Sequence, residues 1–219
     1  MQNTVITEDQ VVTLLETRFV KVYDLQYAPG KHYYDATRHA KADLVAVKTD
    51  AQFKKMQPDA VSCFVILQIA GRAPVLLLSW EYRYPAGRYL LSVPAGLLDP
   101  EDGDTQDAAL KAAAREIREE TGLQVKKTDR LYLVNPLVFS TPGMTDESNA
   151  LACCILSLDS TNELSQSGAE GSELFDGFCL VTKEQARAFL RSGVDEHGNF
   201  YSVYTWAALM YFVSDLWME

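Results

Sequence analysis

Val93–Leu123 reads VPAGLLDPEDGDTQDAALKAAAREIREETGL, and its second half decides the fold. Starting near Asp104 or Thr105, either of them a good N-cap, the alanine-rich run predicts a helix. It closes at Gly122, a natural residue for a left-handed C-terminal cap. Ala109, Ala113 and Ile117 recur at four-residue spacing, an apolar stripe that can lie close against a sheet. Glu116, Glu119 and Glu120 share another face, because an α-helix turns every 3.6 residues. Three carboxylates on one patch repel one another. A hard divalent cation such as Mg²⁺, which takes oxygen ligands, offsets that repulsion. By themselves Glu119 and Glu120 read as a solvated helix face; the glycine-containing loop ahead of this helix is what shifts the reading towards metal.

The run Arg115-Glu116-Ile117-Arg118-Glu119-Glu120-Thr121-Gly122-Leu123 resembles the second half of the Nudix box at every defined position, and Gly96 is similar to its opening glycine. The loop between them is about five residues longer than the family pattern, counted from Gly96 to Arg115. The acidic residue in the middle of the motif falls on Asp107 if one counts back from Arg115. It falls on Asp104 if GDTQDAA is aligned with the family's frequent GETPEAA. The resemblance implies an α/β (α+β) Nudix fold, a mixed β-sheet sandwiched between helices. It further implies pyrophosphate hydrolysis supported by Mg²⁺, with Mn²⁺ as a substitute. Carried over position by position, it makes Glu116 and Glu120 direct metal ligands and Glu119 a ligand directly or through water. The Ala95 carbonyl completes the shell, and Arg115, on the carboxylate side of the helix, orients a glutamate or forms only a structural ion pair.

The flanking segments narrow the substrate. Glu81-Tyr82-Arg83-Tyr84-Pro85, followed by Pro94-Ala95-Gly96, resembles the QYRYP…ELPAG signature of ADP-sugar pyrophosphatases within that family, with Ser92 where relatives carry Glu. Arg83 at the end of a strand can hold a pyrophosphate or ribose by charge-assisted hydrogen bonds; its bland alternative is a surface salt bridge. Ser140-Thr141-Pro142-Gly143-Met144-Thr145 resembles the segment after the box in sugar-nucleotide hydrolases, which makes Pro142 and Gly143 substrate-binding residues, with Glu147 beside them. A Pro-Gly pair alone is only a turn. The acidic loop 159–172 resembles the one that supplies a general base in relatives, with Glu173 and Glu170 as the two candidates.

Elsewhere the pattern is plainer. Thr7-Glu8-Asp9-Gln10 looks like a capping box opening a short helix over about 8–17. Alternation predicts strands over 18–27 and 32–36 around an Ala28-Pro29-Gly30-Lys31 turn, and another over 43–48. The nearly continuous apolar run Val61–Ile69 reads as a strand buried on both faces, with Val75–Trp80 paired to it. Further strands are expected over 90–93, 131–134, 150–156 and 174–181. A capping box at Thr182–Gln185 opens a helix to about Arg191, and a strongly apolar helix over 201–217 turns Tyr204, Ala207, Ala208, Tyr211, Phe212 and Leu216 inward. Residues 1–57 then form a small β-rich extension, a candidate dimerisation unit, and 58–219 the Nudix domain.

The net charge of −10 speaks against binding to nucleic acid or anionic membranes, which needs basic patches. Cys63, Cys153, Cys154 and Cys179 lie in apolar runs without metal-ligand spacing, as buried thiols do in a reducing compartment. The N-terminus lacks the features of a signal peptide, and no apolar run approaches the roughly 18 residues of a membrane span. A cytoplasmic location is expected. By resemblance, such enzymes are homodimers whose N-terminal units reach across to the partner's site, and the reaction is ADP-ribose to AMP and ribose 5-phosphate. The alternatives are another substrate, such as UDP-glucose, ADP-glucose, GDP-mannose or a nucleoside triphosphate, or a non-catalytic module that senses ADP-ribose.

Overall fold

The computed structural model describes residues 6–103, 107–168 and 173–219. The chain divides into two compact units, one of residues 1–58 with 137–148, the other of 59–136 with 149–219.

In the first unit, strands β1 (Val11–Glu16), β2 (Lys21–Ala28) and β3 (Lys31–Thr37) form an antiparallel sheet in that order. Gly30, at φ 67, makes the β2–β3 turn, a conformation that favours glycine. The expected helix over 8–17 is corrected to a strand. The Thr7–Gln10 side-chain pair closes a single 3-10 turn. The β-branched Val11, Val12 and Thr13 then pair with Leu25, Asp24 and Tyr23. The expected strand over 43–48 is also corrected. Leu44 is fully buried between two 3-10 turns, and the Val45 N–H donates to the Asp146 carboxylate at 2.9 Å rather than to a neighbouring strand. Helix α1 (Asp50–Phe53) follows, capped by Thr49. The unit's core is small: Val11, Tyr23, Leu25 and Leu44.

The second unit is built on β4 (Ala60–Ile69). It pairs antiparallel with β5 (Val75–Arg83) and parallel with β9 (Ser148–Leu158), so the seven-stranded sheet is mixed. Its main path runs β10 (Phe175–Val181), β5, β4, β9, β8 (Arg130–Phe139). β6 (Arg88–Ser92) pairs with β5, and β7 (Ala95–Leu97) with β4. Successive side chains of a strand point to opposite faces, and β4 is buried on both, as its apolar run predicts. Val61, Cys63, Val65 and Leu67 meet Ala109, Ala112, Ala113 and Ile117 of α2 (Ala108–Thr121). Phe64 and Ile66 face the other way, against Ala186 and Phe189 of α3 (Lys183–Ser192) and Ala208, Leu209 and Phe212 of α4 (Val203–Ser214). The sheet thus lies between helices.

Two helix limits differ from expectation. α2 begins at Ala108 with Asp107 as its cap residue, while Asp104 and Thr105 lie outside the described residues. α4 ends at Ser214 because Asp215 takes φ 64, a left-handed conformation that breaks the helix. Beyond that break Leu216 is exposed and Trp217 is buried in its place, its Nε1–H donating to the Phe212 carbonyl at 3.0 Å.

Candidate active site

The acidic face of α2 is built by the same periodicity that buries its alanines. Glu116 and Glu120 are nearly inaccessible at 6% and 3% exposure, and Glu119 is partly open. Arg115 sits among them as a hub. Its guanidinium lies 2.6 Å from Glu116, 3.3 Å from Glu119, 3.2 Å from Asp102 and 3.1 Å from Asp99, and it donates to the Leu97 carbonyl at 2.9 Å. Burial works against its positive charge, but Glu116 and Asp102 more than compensate and raise its pKa. Gly96 has a steric reason: a Cβ there would stand 2.5 Å from Glu116 Oε2 and closer still to Oε1 and Cδ. Strand β7 therefore supplies the hollow that holds the Glu116 carboxylate, and the Ala95 N–H donates to Glu120 Oε1 at 3.2 Å.

Burial pushes both carboxyls towards protonation. For Glu116, Arg115 opposes this while Glu119 and Glu173 add to it. For Glu120, the Ala95 N–H opposes it, and the negative charges of Glu81, Glu116 and Glu173 add to it. Buried carboxylates under mutual repulsion are oxygen donors that a hard divalent cation stabilises, so this donor set fits such an ion. As placed, no three His, Cys, Asp or Glu side chains among the described residues converge into a ready-made cage. Glu116 and Glu119 turn to Arg115 instead.

The charge of Glu173 reaches Glu81, Glu116 and Glu120, which brings this residue into the same group. The loop ahead of it packs on α2: Ser165 N–H donates to the Thr121 carbonyl at 2.9 Å, and a Cβ on Gly168 would stand 2.5 Å from the Glu119 carbonyl oxygen. Glu170 lies outside the described residues. Arg83, half exposed, forms an ion pair with Glu81.

Three acids in this group, Asp99, Asp102 and Glu81, were not singled out from the sequence; Asp99 is exposed at the start of the Pro100 turn. Asp102, 7% exposed, contacts Arg115, whereas Asp107 is exposed at the start of α2. The Pro100 turn that precedes Gly103 carries Asp102 back towards the helix, a tertiary return that spacing alone does not show. Glu81 is two residues before Arg83 on β5 and so shares its face; that alternation was a legible signal. Burial pushes the Glu81 carboxyl up, and Arg83 and the Ser92 hydroxyl pull it back. Ser92, where the resembling signature has Glu, thus supports a carboxylate contributed by the neighbouring strand.

Pro142 and Gly143 belong to the other compact unit, where the Tyr33 hydroxyl donates to the Gly143 carbonyl at 2.9 Å. Glu147 pairs with Arg38 there at 2.8 Å. The four cysteines are free and buried, each thiol raised by burial.

A family model described as NUDIX domain matches residues 56–203. The ADP-sugar pyrophosphatase of Mus musculus is 34% identical over 93 residues, 42% of this chain and 38% of that protein. The ADP-ribose pyrophosphatase of Saccharomyces cerevisiae is 35% identical over 95 residues, 42% of this chain and 37% of that protein. The match thus spans well under half the length of these relatives. A solved structure described as "Crystal structure of ADP compounds hydrolase" superposes with a TM-score of 0.58 at 19% identity, covering 100% of this chain and 95% of that one. At that identity the likeness is one of fold.

Proposed function

The chain belongs to the NUDIX domain family, and from that premise we propose that it hydrolyses the pyrophosphate bond of a nucleoside diphosphate sugar, ADP-ribose foremost, giving AMP and ribose 5-phosphate. The observation that carries the reading is the buried Glu116–Glu120 pair, with Glu119 beside it, held by Arg115 and seated against Gly96. Glu116 and Glu120, with Glu119 and the Ala95 carbonyl, would hold Mg²⁺, or Mn²⁺ in its place. Once bound, such ions neutralise phosphate charge and lower the pKa of water. Arg115 keeps the carboxylates of Glu116 and Glu119 aimed. Glu173 accepts a proton from the attacking water as its oxygen bonds to one phosphorus and the other phosphate leaves with the bridging oxygen. Arg83 exchanges Glu81 for a substrate phosphate or ribose, and Pro142 and Gly143 complete the substrate contacts. The names of the mouse and yeast relatives support an adenosine diphosphate sugar as substrate. We further infer a cytoplasmic homodimer in which residues 1–57 form the dimerisation unit and 58–219 the hydrolase domain.

The test is a panel of sugar nucleotides and nucleoside triphosphates with Mg²⁺, read by phosphatase-coupled phosphate release. For the sugar nucleotides coupling works because the products are phosphomonoesters and the intact diphosphate is not; the triphosphates, whose terminal phosphate a phosphatase attacks directly, are read instead with inorganic pyrophosphatase. ADP-ribose turns over fastest on this reading, and Glu120→Gln loses turnover by at least about a hundredfold with an unchanged melting curve. A folded wild type that hydrolyses nothing on the panel would make the chain a binding module, and an active Glu120→Gln would move the metal site elsewhere.

A further inference from the structure

The N-terminal compact unit contains a cavity of about 480 Å³ whose aromatic and acidic lining, Pro142 apart, has no part in the hydrolytic reading. Its size lies in the range of small-molecule sites. Leu25, Tyr27, Tyr33, Phe53 and Phe139 give it an apolar, largely aromatic lining, and Asp35 supplies a carboxylate. Tyr27, Tyr33 and Phe53 are 41–48% exposed, so the rim is open to solvent. Phe53 and Phe139 stack at 6.3 Å between centroids.

Asp35 is 5% exposed. One oxygen accepts from the Asp146 N–H at 3.2 Å, and the other, Oδ2, has no hydrogen-bond partner among the described residues. Its neighbour shows what saturation looks like in the same place. Asp146 accepts from the Thr37 hydroxyl at 2.5 Å and the Val45 N–H at 2.9 Å, and contacts His39 Nδ1 at 3.0 Å. The two acids respond in opposite ways. Burial and the charge of Asp146 push Asp35 up to about 6, with the Asp146 N–H and His39 pulling the other way. Burial raises Asp146 too, but its hydrogen bonds outweigh this and hold it below the ordinary value. Buried polar groups are almost always paired, so an orphaned carboxylate oxygen in an aromatic cavity needs explaining.

The chemistry of the lining selects the ligand. Two neighbouring carboxylates repel anions. A single unpaired oxygen is too few for a hard metal ion, which takes six or more. A sugar would find almost no polar partners. Oδ2 is covered in this structure, and a turn of the Asp35 carboxylate brings it to a cation with an N–H donor, which the aromatic faces attract as well. We propose that this cavity is a binding site for a small organic amine in its protonated form, its ammonium on Asp35 and its apolar or aromatic body against the tyrosine and phenylalanine rings. Of the residues given a hydrolytic role only Pro142 lines this cavity, and failure of the proposal would leave the assignment of the α2 glutamates untouched.

Isothermal titration calorimetry of the full chain with benzylamine, against benzyl alcohol as neutral isostere, tests it. Benzylamine binds saturably at about millimolar concentration or better, and benzyl alcohol at least tenfold more weakly. Asp35→Asn keeps an oxygen for the Asp146 N–H and weakens benzylamine at least tenfold without a loss of melting temperature. Equal binding of the two probes, undiminished binding by Asp35→Asn, or no saturable binding of benzylamine would each overturn the proposal. So would a crystal soak that places the ammonium away from Asp35.

Discussion

Gly96→Ala is the sharpest probe of the carboxylate arrangement. Gly96 has no positive φ, so alanine is compatible with its backbone. The three atoms nearest to the added methyl are the carboxylate end of Glu116, 2.5 Å away at Oε2 and nearer at Oε1 and Cδ. Unstrained contacts need about 3.5 Å, so the carboxylate must retreat by an ångström or more. It is the tip of a flexible side chain, and rotation about its own torsions supplies that movement cheaply. The fold should therefore survive. Losing the 2.6 Å Arg115–Glu116 contact, a charged hydrogen bond to a nearly inaccessible carboxylate, costs about 1.5–3 kcal/mol, a melting shift of roughly 3–12 °C. Catalysis should not survive equally well, because an ångström of misplacement in a catalytic group costs about a hundredfold, or about 2.7 kcal/mol of barrier. Thermal melts, kcat/KM on ADP-ribose and Mn²⁺ titration followed by electron paramagnetic resonance read the three quantities. Full activity and undiminished Mn²⁺ affinity in a folded Gly96→Ala protein would refute the idea that Glu116 acts from where it stands.

Asp102→Asn removes one charged partner of Arg115 while keeping its shape; a drop of about tenfold in kcat with KM little changed is expected, and steady-state kinetics with an unaltered kcat would show that Arg115 holds its place without it. Asp35→Asn should stabilise the protein at high pH. The folded Asp35 pKa is raised from 3.8 to about 6, so the stability of its protonated form is fully present below about pH 4 and lost as pH rises through about 6. With a discount for solvent screening the gain is about 1–2 kcal/mol at pH 8. Melting curves at pH 5 and pH 8 should show a larger gain at pH 8, and an equal gain at both would contradict the sign. Thr205→Val strips the buried hydroxyl that donates to the Leu91 carbonyl at 2.8 Å; denaturant unfolding should report a loss of about 1–3 kcal/mol, and a neutral result would mean that strand pairing or water satisfies Leu91 without it.

What the sequence determined by itself is whatever local periodicity and adjacency encode. The apolar run of β4 fixed a strand buried on both faces, the alanine stripe fixed which side of α2 meets it, and the i, i+3, i+4 spacing put Glu116, Glu119 and Glu120 together. Where a local signal competed with a distant partner, the tertiary structure decided. The capping box at Thr7 marks a helix start, yet pairing with β2 extends the chain at Val11. Val45 leaves strand geometry because the Asp146 carboxylate, far along the chain, takes its N–H. Trp217 replaces Leu216 in the core because of one left-handed residue. The same holds at the site. Asp102 reaches Arg115 through a loop fold, and Glu81 joins the glutamates of α2 through strand pairing, neither of which a one-dimensional pattern measures. Gly96 shows the division most clearly: the sequence marks it as the glycine of a motif, but the reason it must be glycine is the Glu116 carboxylate, twenty positions later, lying where its side chain would be.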